Sequence, residues 1–424
     1  MRIAVIGSGI SGMVAAYRLN AEHEVTLYEA GSHVGGHTHT VDIAHGGQTF
    51  AVDTGFIVFN DWTYPEFISL LEELDVASQE SSMSFSVRCD KSGLEYNGTT
   101  LNALFAQRSN LLSPTFLRMV ADILKFHARA PMLLLEDHAE LTLGEYLEAG
   151  GYSRAFIEHF MIPMVAAIWS ARPADMLRFP ARFLVRFFAN NGLLTVNQRP
   201  VWRAVRGGSR EYVKKLTRPL ASRIHLNTLV AGVQRHPQHV LLRLKDGTVE
   251  HFDQVFFACH SDQALAILTD ASREEREILS AIPYQANEAL LHTDERLMPR
   301  RRLAWAAWNC HLPAAAHERV AVTYNMNILQ RLSAPVQFLL TLNRHEGIDP
   351  AKVLGSFQYH HPMITSASLA AQARRDEISG PRRTYYCGAY WGFGFHEDGV
   401  SSAIAAVNEF NRRNYAQLHL QRVG

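Results

Sequence analysis

Gly7, Gly9, Ser11 and Gly12 lie in one run, Gly7-Ser8-Gly9-Ile10-Ser11-Gly12, and an acid, Glu29, follows Gly12 by 17 residues. These residue types at this spacing suit one task, the binding of a diphosphate between two nucleosides. Gly7 permits a tight turn, Gly9 lets the backbone approach a pyrophosphate, and Gly12 lets a helix pack close to a strand. Ser11 belongs to the same cradle. The phosphates would face free N–H groups at a helix N-terminus, where the helix dipole favours negative charge. Glu29 is placed to accept hydrogen bonds from a ribose hydroxyl.

The elements that must position these residues are legible around them. Arg2-Ile-Ala-Val-Ile6 is an apolar run of strand type, Met13 to Asn20 has a helical pattern, and Val25-Thr-Leu-Tyr28 is a second strand ending on Glu29. Strand, glycine turn, helix, strand and acid form the dinucleotide-binding unit in its expected context. A second glycine pair follows in Glu29-Ala-Gly-Ser-His-Val-Gly35-Gly36-His37-Thr38. A nicotinamide-binding unit has no need of glycines there.

This segment resembles the flavin-dependent amine oxidase and phytoene desaturase superfamily, whose pattern after the acid is Glu-Ala-x-x-Arg-x-Gly-Gly-Arg. Histidines, weaker and titratable cations, stand at 33 and 37 in place of the arginines. Asp53-Thr54-Gly55 resembles the superfamily's Asp-x-Gly turn beside the flavin. Arg206-Gly-Gly-Ser209 resembles the segment that re-enters the cofactor domain, and Thr228-Leu-Val230 the strand whose valine backbone meets the adenine. Gly388-Ala389 and Glu397-Asp-Gly399-Val400 resemble the closing motif, in which a glycine opens a last helix beneath the flavin. The usual Gly-Asp is Gly-Ala here, so Glu397 or Asp398 is the expected substitute carboxylate. The ending from Gly388 to Gly399 is most similar to a bacterial branch often encoded beside cyclopropane fatty-acid synthase-like methyltransferases.

The resemblance implies FAD, held non-covalently, as cofactor. The implied contacts are Gly7, Gly9, Ser11, Gly12, Glu29, Gly35, Gly36, His37, Thr38, Asp53, Gly55, Val230, Gly388, Gly399 and Val400. It also implies an α/β fold class: a Rossmann-like FAD-binding domain of the GR2 type with a mixed α+β substrate domain formed by two insertions. The cofactor domain is expected from 1–60, 205–270 and 380–424, and the substrate domain from 61–204 and 271–379. Within the insertions, Pro65 to Leu74 and Leu101 to Leu135 have helical spacing, Thr142-Leu-Gly-Glu145 is a capping box, and Ser84 to Val87 with Leu94 to Tyr96 alternate like a hairpin. Leu241 to Leu244, Asp246-Gly247 and Val255 to Ala258 read as hairpin strands around an Asp-Gly turn.

A flavin enzyme needs placement, desolvation and a proton acceptor from its protein. Tyr390, Trp391, Phe393, Phe395 and His396 fall within seven positions, interleaved with Gly392 and Gly394, and read as an aromatic wall. His396 is the expected base, because an unperturbed imidazole titrates near 6.5. Tyr390 and Tyr284 are further catalytic candidates. In the amine oxidases the region corresponding to Ile282–His292 supplies a lysine that holds a water at the flavin. No lysine occurs here between Ala281 and Arg302. The histidine groups His37-Thr-His39, His360-His361, and His311 with His317 lack convincing spacing with a third ligand, so no metal is expected.

Net charge is zero, with 41 basic and 41 acidic residues, and no basic cluster of the kind that nucleic acid requires. Four scattered cysteines, Cys89, Cys259, Cys310 and Cys387, give neither a CxxC pair nor a disulfide framework, which fits a cytoplasmic protein. The many apolar residues between Phe156 and Phe188 read as a buried helix pair or as an apolar tunnel for a long chain. Leu111 to Arg129, with Arg118, Lys125 and Arg129, reads as a packed surface helix or as a peripheral contact with the inner membrane face. Three functions stay open. The first is dehydrogenation or isomerisation of an unsaturated or methyl-branched fatty-acyl chain, a hydrophobic or lipid substrate. The second is oxidation of an amine. The third is an FAD-containing partner or electron carrier for a lipid-modifying methyltransferase.

Overall fold

The computed structural model describes residues 1–135, 141–169, 173–195, 197, 199–314 and 321–423. Its centre is a five-stranded parallel sheet in the order Ile224–His225, Glu24–Tyr28, Arg2–Ile6, Gln254–Phe257, Thr384–Tyr386. Ile3 to Ile6, Val25 to Tyr28 and Val255 to Phe257 are buried on both faces, so these strands are near-continuous apolar runs rather than alternating ones. The helix Ile10–Leu19 packs against the sheet and against the last helix, His396–Val423. Burial on both sides explains why Met13, Val14, Ala15 and Ala16 are all apolar and all fully covered. Three stretches far apart in sequence therefore share one core.

The strand Gln254–Phe257 corrects one sequence expectation. The hairpin around Asp246-Gly247 pairs Val240–Leu244 with Val249–Phe252, while residues 254–257 run parallel to Arg2–Ile6 in the main sheet. Both strands look alike locally. Phe256 and Phe257 are each fully buried, and that two-sided burial belongs to a central parallel strand.

A second, seven-stranded mixed sheet runs Val353–Pro362, Tyr284–His292, Leu339–Leu342, Ala321–Asn325, Trp308–Leu312, Phe85–Cys89, Leu94–Asn97. It draws strands from both insertions, and helices from the first cover it. The span 101–135 is not one helix but four pieces, with Ser113 and Pro114 starting the longest, Pro114–Arg129. The Ser113 hydroxyl accepts from Phe116 N, and Pro114 occupies the first turn, where its missing N–H costs nothing. Next comes a wide turn, Ile157–Met161, leading into Ile162–Trp169. Pro163 cannot donate to the His159 carbonyl four residues earlier; the Tyr96 hydroxyl donates to it instead, at 2.8 Å. Thr142 and Glu145 form the expected capping box. Among the described residues no helix is long and apolar enough to cross a membrane.

Candidate active site

The glycine turn between the first strand and helix forms the floor of a cavity of ≈ 1440 Å³. Gly7 has φ +101°, and a side chain there would meet the Ala258 and Cys259 backbone at 2.9 Å. A side chain on Gly12 would lie 1.9 Å from the Gly7 carbonyl oxygen. Those two glycines are required by the protein itself. Gly9 is different: it lines the cavity, and a Cβ there would meet no protein atom within 4 Å. The space above it suits a diphosphate, with helix N–H groups behind it.

The second glycine loop lies against the first. Gly35 N donates to the Ser8 carbonyl at 3.1 Å, and a Cβ on Gly36 (φ +59°) would sit 3.1 Å from Gly9 Cα. The Glu29 carboxylate accepts from Ser8 N (2.9 Å), Ser8 Oγ (2.6 Å) and Gly31 N (2.7 Å) and faces the cavity. Its orientation is thus fixed by the backbone on both sides.

Gly7, Gly9, Ser11, Glu29, Gly35, Gly36, His37, Thr38, Gly55, Val230, Gly388, Tyr284, Tyr390 and His396 line this one cavity. Gly12, Asp53, Gly399 and Val400 do not. Gly399 acts from behind, since a Cβ there would strike Ile10 Cγ2 at 2.7 Å and Ser11 Oγ at 3.0 Å, and Val400 is core. Asp53 is a fastener rather than a cavity residue. It accepts from Thr40 Oγ1 (2.5 Å), Ser209 N (2.9 Å), Ser209 Oγ (2.7 Å) and Gln330 Nε2 (2.9 Å), and burial raises its carboxyl to about 6. It ties the Thr40–Asp53 hairpin to the helix Arg210–Thr217 and to the second insertion.

Neither expected substitute carboxylate reaches the cavity. Glu397 caps the helix Pro65–Glu73 by accepting from Glu66 N and Phe67 N, both at 2.9 Å. Asp398 accepts from Phe395 N at 2.8 Å and closes the aromatic loop. The aromatic wall is present, with Tyr390, Phe393, Phe395 and His396 on the cavity, but Trp391 faces elsewhere. The Tyr390 hydroxyl is buried with no hydrogen-bond partner among the described residues, a polar atom left for a bound group. Tyr284 OH accepts from Ser261 N at 2.9 Å, and its ring stacks on His260.

His396 is not a base poised near neutrality. It is buried, stacks on Phe56 at 3.7 Å between centroids, and shares a 2.7 Å hydrogen bond with Tyr212 OH, which in turn bonds Thr38 Oγ1 at 2.5 Å. Burial pushes its imidazole down to about 3. Its role here is to fix the Thr38–Tyr212–His396 chain at the cavity wall. Burial and the neighbouring His361, His260, His396 and His360 also hold His37 neutral, so it brings no charge to the position of the superfamily arginine.

Sequence reasoning overlooked several cavity residues. His260, Tyr359 and His361 surround His37, with ring centroids 6.4, 5.1 and 5.2 Å away. His361 Nδ1 bonds Asn287 Nδ2 at 2.7 Å. The His360-His361 pair is their visible signal in the sequence, although it lacks metal-ligand spacing. Among the described residues no group of three or more His, Cys, Asp or Glu is arranged to hold a metal; His317 lies outside them. Arg199 and His127 also line the cavity. Cys387 does not line it, and burial pushes that thiol up to about 12.

A profile of flavin containing amine oxidoreductases matches residues 10–307, more than half of the chain. No curated protein matches the sequence. Solved structures share the fold at low identity. A CLA-producing fatty acid isomerase from P. acnes is similar at TM-score 0.68 and 16% identity, over 96% of this chain and 98% of that one. Cyclohexylamine oxidase from Brevibacterium oxydans is similar at TM-score 0.69 and 14% identity, over 97% and 99%. Putrescine oxidase bound to putrescine gives TM-score 0.68 and 13% identity over the same shares. The glycine cradle, the open space at Gly9 and the profile agree: this chain belongs to the flavin containing amine oxidoreductase family, whose cofactor is FAD.

Proposed function

We propose that this oxidoreductase dehydrogenates or isomerises an unsaturated or methyl-branched fatty-acyl chain. The observation that carries the reading is the lining of the cavity beyond the glycine cradle. Val120, Ile123, Phe160, Met164, Ile168 and Trp169 make that limb apolar. Among the described lining residues the acids are Glu29, engaged by Ser8 and Gly31, and Glu80, and the one arginine or lysine is Arg199. An ammonium would leave water for a limb with few anions and would meet Arg199, which is unfavourable. An acyl chain loses nothing by desolvation, and Arg199 complements an acid or phosphate head.

The structural neighbours include a fatty acid isomerase and amine oxidases, so likeness of fold favours neither chemistry. FAD supplies the two-electron oxidant when bound. The chain's own residues bind the acyl tail, exclude water with the wall of Phe187, Phe393 and Phe395, and leave the unpartnered Tyr390 OH at the junction. Loss of hydride from an unactivated methylene would leave a secondary cation, so an allylic or branched carbon is the expected site. The test is anaerobic mixing of oxidised enzyme with detergent-dispersed unsaturated or methylated phospholipid, following the visible flavin band. Bleaching by lipid is expected if the chain is dehydrogenated, and a shifted double bond in the recovered lipid if it is isomerised, since isomerisation returns the hydride. No bleaching by any lipid, with rapid bleaching by a polyamine, refutes the reading.

A further inference from the structure

Asn287 is fully buried, and every hydrogen-bonding position of its side-chain amide is used. Its Nδ2 donates to the Gln285 carbonyl (3.2 Å) and to His361 Nδ1 (2.7 Å). Its Oδ1 accepts from Gln285 Nε2 (3.1 Å) and Asn343 Nδ2 (2.8 Å). That is all an amide can make. Backbone groups decide which end is which. Asn343 Oδ1 accepts from Glu288 N at 3.2 Å, so the Asn343 atom facing Asn287 is its nitrogen. The Gln285 carbonyl can only accept. A flipped Asn287 would set nitrogen against nitrogen on one side and oxygen against oxygen on the other.

The consequence falls on His361. A neutral imidazole has one N–H and one lone pair, and the bond made by one nitrogen sets the state of the other. Asn287 presents a donor to Nδ1, so Nδ1 keeps its lone pair and the proton sits on Nε2. Protonating the ring would press two N–H groups together across that contact. Burial and the neighbouring His260 and His360 also lower the ring to about 4. His361 is half-buried and lines the cavity, and with Nδ1 engaged its Nε2–H is the polar edge left for a bound group. It is a fixed, uncharged donor rather than a base.

This donor stands beside the glycine loops. The His361 ring is 5.2 Å from that of His37, the residue after Gly35-Gly36. His37 is 6.4 Å from His260, which directly follows the Ala258-Cys259 backbone that abuts Gly7. A flavin ring offers carbonyl oxygens and bare ring nitrogens as acceptors and gains electron density when reduced, so a preorganised neutral donor favours its reduced form.

We infer that His361, held by Asn287 as an Nε2–H donor, hydrogen-bonds the flavin ring of FAD and raises its reduction potential, with Asn287 as the positioning residue. The inference needs the FAD of this family and not the acyl-chain reading, so failure of lipid to react leaves it standing. Two readouts test it without turnover. In FAD-loaded protein carrying isotopically labelled histidine, proton–nitrogen correlation spectra report the tautomer of each ring, and His361→Gln identifies the His361 signal by its loss. The Nε2–H tautomer is expected at neutral pH. Asn287→Asp, which presents an acceptor to Nδ1, should place a proton there.

The second readout is the flavin midpoint potential, measured against reference dyes. His361→Phe removes the donor and should shift the redox equilibrium about tenfold toward oxidised flavin, a fall of about 30 mV. His361→Gln returns an N–H to the place of Nε2 and should restore most of that loss. Should the bulk of phenylalanine displace FAD, His361→Leu gives the same comparison, and an unchanged melting temperature certifies folding. A lone proton on Nδ1 in the wild type overturns the inference. So does a wild-type potential in a folded, FAD-loaded protein without the donor. An equal fall in the glutamine variant overturns it as well, because the effect would then be one of packing.

Discussion

Gly9 and Gly12 are three residues apart in one motif, yet the structure gives opposite predictions for replacing them with alanine. A Cβ on Gly12 would lie 1.9 Å from the Gly7 carbonyl oxygen and 3.1 Å from Ala258 Cβ. Backbone cannot step aside, so Gly12→Ala overpacks the junction of helix and sheet and should cost about 3 kcal/mol or more of stability. Gly9 has φ −61° and ψ 177°, angles open to alanine, and its Cβ would project into empty cavity. Gly9→Ala should therefore cost the apoprotein no more than about 1 kcal/mol, the preference for glycine over alanine at a helix N-cap. The methyl group would occupy the approach of the diphosphate. Losing one backbone hydrogen bond to a charged phosphate costs about 1.5–3 kcal/mol, which is about 10- to 150-fold in affinity for FAD. The assay is urea unfolding of apoprotein beside titration with FAD, read by quenching of flavin fluorescence. Wild-type FAD affinity in Gly9→Ala, or loss of stability equal to that of Gly12→Ala, would refute the assignment of the cradle.

Two further outcomes follow from the same residues. Burial lowers His127, His260, His292 and His361 to about 4 and His396 to about 3, so these groups stabilise the fold above about 6.5 and lose that contribution as pH falls through their folded values. Asp53 and Asp398, raised to about 6, oppose this with two groups against five. Unfolding midpoints in urea should fall from pH 6.5 to 4, with more than one proton taken up on unfolding at about 1.4 kcal/mol per pH unit each; a flat profile would contradict the burial of these rings. Arg199 makes its one described hydrogen bond through Nε, to the Thr195 carbonyl at 3.2 Å. Arg199→Ala should weaken the binding of an acyl substrate with an anionic head about tenfold and leave a neutral methyl ester unaffected, and an equal loss for both would remove the head-group role.

The cofactor half of this protein was legible in its sequence because its determinants are local. A strand, a glycine turn and a helix specify their own geometry within some thirty residues, and Gly7, Gly9, Gly12 and Glu29 occupy positions that only that geometry explains. The capping box at Thr142 and the proline start at Pro114 are local in the same way. Other features are not written in any one segment. The strand Gln254–Phe257 looked like part of a hairpin, and only its burial on both faces assigns it to the parallel sheet. Asp53, Glu397 and Asp398 looked like cofactor ligands, but donors from distant segments hold Asp53 and Glu397, and the backbone of its own loop holds Asp398. His396 looked like a base until Phe56 and Tyr212 enclosed it. Arg199 had no signature at all, because the lining of a cavity is made by elements that meet only after folding. Short-range backbone geometry is encoded residue by residue, whereas charge state, cavity lining and exposure are properties of packing, and packing is settled by the whole chain.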